Sequence, residues 1–350
     1  MKMIKLYGFS FMKDGVRFDY PFKEMLSCMS SLVEKTYVAL GENDDGTSEA
    51  VEKFDSVEII PTVWDMKKVG DGGLIFSEQT NIALHKLRDN HKNELGSWAI
   101  YLQSDEIIHE ADFEQLRKDI EEAEKQGCDA VRFRYFHFWM SHYQIAVNKR
   151  WYPHEIRAIK VNSNVENFGD AQGFSKFTKV YESDVSIFHY GHVRDLGKRE
   201  AKQKDLINRI RPGKKFEKYL NREKRAFSKT KVRPLMIRHS KVMKDRIEKM
   251  GEASFIEFKK LIYVVGQREH ISDSFFSKTV FSNLVFVSSV SDVPFEYRRA
   301  QMLILHPTLF ERVQWGSETV TGMDSDIARA WDEDTRLLVL LSQLFNKHSY

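Results

Sequence analysis

Along the first 125 residues, short apolar runs alternate with stretches in which apolar positions recur every three or four residues. Runs of the first kind suit buried strands and the second kind amphipathic helices, so the rhythm predicts strand, helix, strand around a mainly parallel sheet. Residues 3–10 read as the first strand and 22–32 as the helix that follows. A second strand at 36–40 is stopped by Glu42-Asn43-Asp44-Asp45-Gly46, a cluster of turn formers. Thr47 is placed to cap the next helix, with Ala50, Val51 and Phe54 as its inward face. A third strand at 57–63, a loop carrying Gly70, Gly72 and Gly73, a helix at 78–87 and a fourth strand at 98–102 complete the series.

The fourth strand runs into Gln103-Ser104-Asp105-Glu106, and open α/β sheets place ligands beyond the carboxyl ends of their strands. A polar helix at 112–125 leads to an aromatic strand at 130–138, and strand-like, looped segments continue through Phe188. Trp139, Trp151 and Tyr152 near their start can stack on a sugar or base, or serve the core. Past Arg194 the pattern turns basic and mostly helical, with a break at Pro212-Gly213. Apolar runs at 260–265, 284–287 and 302–305 and a helix around 336–345 predict a second, small α/β unit. The expected division is a catalytic domain over 1–195, a basic connector over 196–253 and an accessory unit over 254–350.

At 350 residues the chain exceeds what one ordinary core organises, and 42% apolar with 13% aromatic residues exclude a disordered protein. Cys28 and Cys128 cannot supply a disulfide framework or a four-thiolate zinc site, which points to a reducing compartment. The first 15 residues lack the apolar core of a signal peptide. No run approaches the roughly 18 apolar residues of a membrane span, so the expected location is the cytoplasm. A formal net charge of +3 conceals strong segregation. Residues 194–246 hold 20 Lys or Arg against six acids, a net of +14, which leaves −11 for the rest of the chain. Cations crowded in this way favour an anionic partner.

The acids after the fourth strand are the first candidates for chemistry. Asp105 is placed to bind a hard divalent cation, which completes its shell with substrate phosphates and water. Glu106 would face the other way on a continuing strand, so it fixes a loop or assists the ion.

Three segments extend this reading: Gly41-Glu42-Asn43-Asp44-Asp45-Gly46-Thr47, Glu78-Gln79-Thr80-Asn81-Ile82-Ala83-Leu84, and Trp98-Ala99-Ile100-Tyr101-Leu102-Gln103-Ser104-Asp105-Glu106. Their order and spacing resemble the family 2 glycosyltransferases of GT-A fold over about residues 1–195. A bacterial subset is echoed by Arg132-Phe133-Arg134-Tyr135, Trp151-Tyr152, Glu155-Ile156-Arg157, Asp170-Ala171-Gln172-Gly173 and Phe188-His189-Tyr190-Gly191-His192-Val193-Arg194. The resemblance implies a Rossmann-like, mainly parallel α/β domain that transfers a sugar from a nucleotide diphosphate, with UDP-sugar as donor and Mn²⁺ or Mg²⁺ as cofactor. It assigns metal binding to Asp105 and His189, with His192 in reserve. Donor contacts fall to Phe9, Ser10, Glu42, Asp65, Gln79, Asn81, Gln103 and Ser104. Gln103 stands where the family commonly has an acid. The base that removes the acceptor proton is expected at Glu155, with Asp170 in reserve; either is alternatively an ion-pair partner of Arg157.

Two acceptors fit the basic stretch. In one, Arg194, Lys198, Arg199, Lys202, Lys204, Arg209, Arg211, Lys214 and Lys215 grip DNA phosphates and present a modified base, hydroxymethylcytosine being the best match. DNA-decorating glycosyltransferases of tailed phages are similar in kind, and the location is then the host cytoplasm. In the other, the acceptor is a lipopolysaccharide or envelope glycan and the cations lie on an anionic membrane. Apolar residues over 194–225 are sparse for a membrane-surface helix, which favours DNA. A phosphate-binding module that has lost its chemistry is the non-enzymatic alternative, with Gln103 as its main support.

Overall fold

The structure is a computed structural model that describes residues 4–65, 68, 73–148, 150–193, 221, 225, 228–234, 238–252, 258–265, 281–288, 292 and 302–304. The chain divides into two compact units, 1–233 with 240–252, and 234–239 with 253–350.

The first unit is an α/β domain. Its strands are β1 (Leu6–Met12), β2 (Thr36–Gly41), β3 (Val57–Thr62), β4 (Trp98–Tyr101), β5 (Glu106–Ile108), β6 (Ala130–Trp139), β7 (Gln144–Ala146), β8 (His154–Lys160), β9 (Glu166–Phe168), β10 (Gly173–Ser175), β11 (Val180–His192) and β12 (Val232–Pro234). Its helices are α1 (Phe22–Leu32), α2 (Thr47–Val51), α3 (Leu74–His91), α4 (Phe113–Lys125) and α5 (Lys244–Lys249). In the main sheet β3, β2, β1 and β4 lie side by side and all parallel. β8 then runs antiparallel between β4 and β6, while β11 pairs parallel with β6 and antiparallel with β5. β7 and β12 extend the edge beyond β6, and β9 with β10 form a separate hairpin.

Burial explains why the parallel half forms. Every residue of β2 and β4 is buried, as strands covered on both faces must be, and these read as continuous apolar runs. α1 buries Phe22, Met25, Leu26, Met29 and Leu32, the stripe of a one-sided helix. It comes close to β1 because Gly8 has no side chain: a Cβ there would sit 2.4 Å from Met29 Cε. α2 departs from expectation at its start. Its N-cap is Gly46, and the orphan amides of Thr47 and Ser48 donate to Asp45 and Asn43 side-chain oxygens at 3.1 Å each. Thr47 instead accepts from the Val16 amide.

Residues 240–252, the end of the basic stretch, form part of this unit. Met243 and Ile247 are buried, and Arg246 bonds Asp19 and Glu24 and donates to the Tyr20 carbonyl. His142 and Glu252 are joined by an Nδ1–Oε2 contact of 2.8 Å.

In the second unit β13 (Phe258–Val265) lies between β14 (Phe281–Val287) and β15 (Met302–Ile304), all parallel. The helix expected around 336–345 lies outside the described residues. Among the described residues no helix is long and apolar enough to cross a membrane.

Candidate active site

The strand series ends where the chemistry was expected, but with a turn between the acids. After β4 the Gln103 amide donates to Glu106 Oε2 at 3.1 Å and the Glu106 amide to the Gln103 carbonyl at 3.1 Å. This tight turn sends β5 back along β11, with Glu106 opposite His189. The Tyr190 amide donates to the Asp105 carbonyl at 2.8 Å. Asp105 and His189 are thereby brought together, Oδ1 to Nε2 at 3.7 Å, and both are buried.

Gly191 lies close against both side chains. A Cβ on that residue would stand 2.6 Å from both Asp105 Oδ2 and His189 Nε2. An octahedral cation bound at about 2.1 Å has neighbouring ligands about 3 Å apart, so a small rotation brings this carboxylate and imidazole onto one ion. The pair and its donor chemistry fit a divalent ion that would take its remaining ligands from phosphates and water. Among the described residues no group of three or more His, Cys, Asp or Glu side chains could hold a metal.

Around His189 stands an aromatic wall that alternation along β6 creates, because Tyr135, His137 and Trp139 share one face of the strand. His189 is the register partner of His137 on the parallel neighbour β11. Their Nδ1 atoms are 3.1 Å apart, and His137 Nε2 lies 2.9 Å from the Tyr152 carbonyl. Burial first, then the neighbouring His189 and Arg157, pushes the His137 imidazole down to about 3, so it is neutral. Trp151 and His192 complete the wall, with ring centroids 4.9 Å apart. The buried Trp151 indole N–H has no hydrogen-bond partner among the described residues.

Beneath the turn lies a fully buried ion pair. Arg157 donates from Nε to Glu106 Oε2 at 2.9 Å and from Nη2 to Oε1 at 3.0 Å, and from Nη1 to the Ile156 and Gln172 carbonyls. Its guanidinium lies 5.1 Å from both the Tyr101 and Tyr135 ring centroids, and Tyr135 donates its hydroxyl to Glu106. Glu106 thus fixes the turn, and it is the bonded carboxylate partner of Arg157.

Glu155 lies two residues before Arg157 on β8, whose register with β6 is irregular at Arg157, and among the described residues no side chain bonds the Glu155 carboxylate. Burial, opposed by Arg157 and reinforced by Glu106, pushes its carboxyl up to about 7. Burial also raises the Tyr152 hydroxyl, on which Arg157 acts in opposition and Glu106, Glu155 and Asp105 in support. One electrostatic neighbourhood therefore contains the expected base and the expected metal ligand. Asp170 is exposed in the loop between β9 and β10, against the N-terminus of α3: a Cβ on Gly73 would be 2.9 Å from Asp170 Cβ.

Other expected donor contacts are committed elsewhere. Phe9 is a core residue, fully buried and 5.1 Å from the Tyr101 ring centroid, because β1 is covered on both faces. Ser10 donates to the Leu102 carbonyl at 2.6 Å, which ties β1 to the end of β4. Asn81 exchanges bonds with the Asn167 backbone, at 2.9 and 3.0 Å, and so fastens α3 to β9. Ser104 donates to the Phe11 carbonyl. Gln103 donates to the Ala171 carbonyl at 3.0 Å and holds the Asp170 loop. Gln79 is buried with Oε1 unbonded among the described residues, while Glu42 and Asp65 are exposed at the carboxyl ends of β2 and β3. Arg194, Lys198, Arg199, Lys202, Lys204, Arg209, Arg211, Lys214 and Lys215 lie outside the described residues.

No family model and no curated protein matches the chain. Among solved structures it is similar to S. aureus TarS at 10% identity and a TM-score of 0.35, over 64% of this chain and 43% of that one. The chain thus spans less than half of that TarS structure. A structure of TarS 1–349 in complex with UDP matches at 10% identity and TM-score 0.34, over 64% and 71% of the two chains. HddC from Yersinia pseudotuberculosis matches at 13% identity and TM-score 0.32, over 57% and 99%. Likeness at this level carries no functional argument, and function has to be read from the chain's own residues.

Proposed function

We propose that this chain is a glycosyltransferase that moves a sugar from a nucleotide-diphosphate donor to an acceptor hydroxyl. The approach of Asp105 and His189 to one another beside Gly191, at the carboxyl end of β4, carries the reading. The three motif segments and their order support it.

Asp105 and His189 would hold Mn²⁺ or Mg²⁺, and that ion would supply positive charge to stabilise the departing diphosphate. Glu42, Asp65 and Gln79 contact the donor, as the resemblance implies. Glu155 accepts the proton of the attacking hydroxyl. A carboxyl that titrates near 7 is matched to that task, since it is ionised at working pH yet basic enough to take a proton. The Glu106–Arg157 pair holds the turn that carries Asp105, and Gln103 holds the loop that carries Asp170. Trp151 and His192 offer ring faces on which a base or sugar stacks.

The acceptor in this reading is hydroxymethylcytosine in DNA, supported by the net +14 of residues 194–246. Incubation with a panel of nucleotide sugars, Mn²⁺ and hydroxymethylcytosine DNA is expected to add a hexose or pentose mass to the nucleoside, and chelator is expected to abolish the gain. Donor hydrolysis without DNA modification would move the acceptor to an envelope glycan. No donor turnover with any sugar would leave a non-enzymatic phosphate-binding module.

A further inference from the structure

Glu155 has an aromatic neighbour that the core does not use. The hairpin of β9 and β10 sends its two phenylalanines to different environments. Phe174 is 4% exposed and packs on the Phe9 and Tyr101 rings, whereas Phe168 is 55% exposed and has no ring partner among the described residues. A lone exposed phenylalanine is ordinary, and it is the position of this one that matters. A Cβ on Gly173, the register partner of Phe168, would stand 3.2 Å from Phe168 Cε1 and 3.9 Å from Glu155 Oε2. The edge of an exposed phenyl ring and a half-buried carboxylate are therefore near neighbours. The loop that carries the ring is firmly held. Ala171 adopts φ 66°, a left-handed backbone that a residue with a side chain rarely takes, and Gly169 in the same loop has φ 63°. The Ala171 carbonyl accepts from Gln103 Nε2 at 3.0 Å and from the Tyr101 hydroxyl at 3.4 Å, and the Gln172 carbonyl accepts from Arg157 at 2.8 Å. Backbone of this kind persists where the surroundings over-determine it, as they do at ligand sites. Donors from the end of β4 and from the buried ion pair thus fix an apolar ring in water beside the expected base.

We propose that Phe168 is the stacking platform for the acceptor base, a specificity-determining role that rests on the DNA-acceptor reading above. A pyrimidine taken out of the duplex loses its stacking neighbours, and an aromatic face on the protein replaces them. Laid on the phenyl face, the base carries its hydroxymethyl arm toward Glu155, which accepts the hydroxyl proton. The phenyl ring has no hydrogen-bonding group, so it holds the base by its π-face and leaves the base edge to other groups. The hairpin turn, rather than a core strand, carries the platform, so the ring stands clear of the sheet and accessible from solvent.

The test is binding of single-stranded oligonucleotides to the full chain, read by fluorescence anisotropy. One strand carries a single hydroxymethylcytosine and the other an abasic site at the same position, so their phosphates are equal and only the base differs. The parent is expected to bind the base-bearing strand about tenfold or more tighter, as base–aromatic stacking supplies. Phe168→Ala is expected to lose that preference while keeping the parent's affinity for the abasic strand, and Phe168→Trp to retain both. In the transfer assay F168A is expected to raise the KM for hydroxymethylcytosine DNA by a similar factor and to leave donor hydrolysis without DNA unchanged. Because Phe168 is exposed, F168A is expected to melt with the parent, which shows that the loss is not one of folding. An undiminished preference in F168A seats the base elsewhere and overturns the platform, leaving the DNA-acceptor reading in place. Equal binding of the two strands by the parent also overturns the platform. Failure of the parent to bind either strand removes the DNA-acceptor reading and this role with it.

Discussion

Glu155 is where a single residue has most to reveal, because its carboxyl is pushed up to about 7 by burial, against the pull of Arg157. As a base it works only when ionised, so the transfer rate is expected to rise with pH through about 7 and level off above. Glu155→Gln is expected to lower kcat by about 10²–10⁴-fold and to erase that limb of the pH profile. Stability runs the other way. A carboxyl whose folded value lies above its unfolded one is most favourable to folding below the unfolded value, near 4.5, and that advantage disappears as pH rises to about 7. E155Q is therefore expected to melt higher than the parent at pH 8, by on the order of 1 kcal/mol or roughly 3 °C after allowance for partial exposure, and to show no gain at pH 4. Melting curves at the two pH values check this. Gly191 offers an independent probe of the proposed ion site. Its backbone is open to alanine, but the new Cβ would stand 2.6 Å from both Asp105 Oδ2 and His189 Nε2. Gly191→Ala is expected to cost at least about tenfold in Mn²⁺ affinity, in keeping with the sensitivity of such sites to their surroundings. Calorimetric titration measures it, and unchanged affinity would place the ion elsewhere.

At the scale of elements, the turn between β4 and β5 depends on the buried pair beneath it. Arg157→Met leaves the Glu106 carboxylate buried with, among the described residues, only Tyr135 and the Gln103 amide as donors, which is expected to cost about 3–5 kcal/mol. The double change Glu106→Gln with Arg157→Met removes both charges and is expected to recover much of that loss, as denaturant unfolding of the three proteins would establish. The same elements mark where sequence pattern is informative. β1, β2 and β4 are legible because strands covered on both faces are plain apolar runs, and α1 because its buried positions keep a helical period. β5 is not legible: three residues after an acidic turn have no period, and only pairing with β11 makes them a strand. Asp105, His189 and Glu155 could be singled out as acids or histidines at strand ends. His137 could not, because its meaning comes from the register of β6 against a strand about 50 residues later. A period-two reading of 130–139, which puts Tyr135, His137 and Trp139 on one face, was the available signal. Phe9, Ser10 and Asn81 show the converse, since side chains expected at the donor are spent on core packing and on tying elements together.

On the scale of the whole molecule, the proposed DNA acceptor rests on the charge map. A net charge of +3 spread over 350 residues would steer nothing, but +14 concentrated in 53 residues against −11 elsewhere makes a strongly polarised chain. Part of that positive charge is already used: Arg246 is bonded to Asp19 and Glu24, so the C-terminal end of the stretch is docked on the first unit. The other cations of the stretch, Arg194 to Lys244, are the candidates for a polyanion. Binding that neutralises phosphates releases counterions, so log affinity for duplex DNA is expected to fall linearly with log salt, with a slope of about −0.9 for each phosphate contacted. Replacement of Lys198, Arg199, Lys202, Lys204, Lys214 and Lys215 by Gln is expected to flatten that slope by several units and to weaken binding uniformly across sequences, since phosphate contacts carry no base information. Fluorescence anisotropy with labelled duplexes between low and physiological salt measures both quantities. Vesicles rich in anionic lipid supply the competing arm. A membrane-surface helix would need a continuous apolar face to gain affinity beyond charge, and the sparse apolar residues over 194–225 do not provide one. Vesicle binding is therefore expected to vanish at physiological salt while DNA binding persists, and the reverse order would transfer the acceptor from DNA to an envelope glycan.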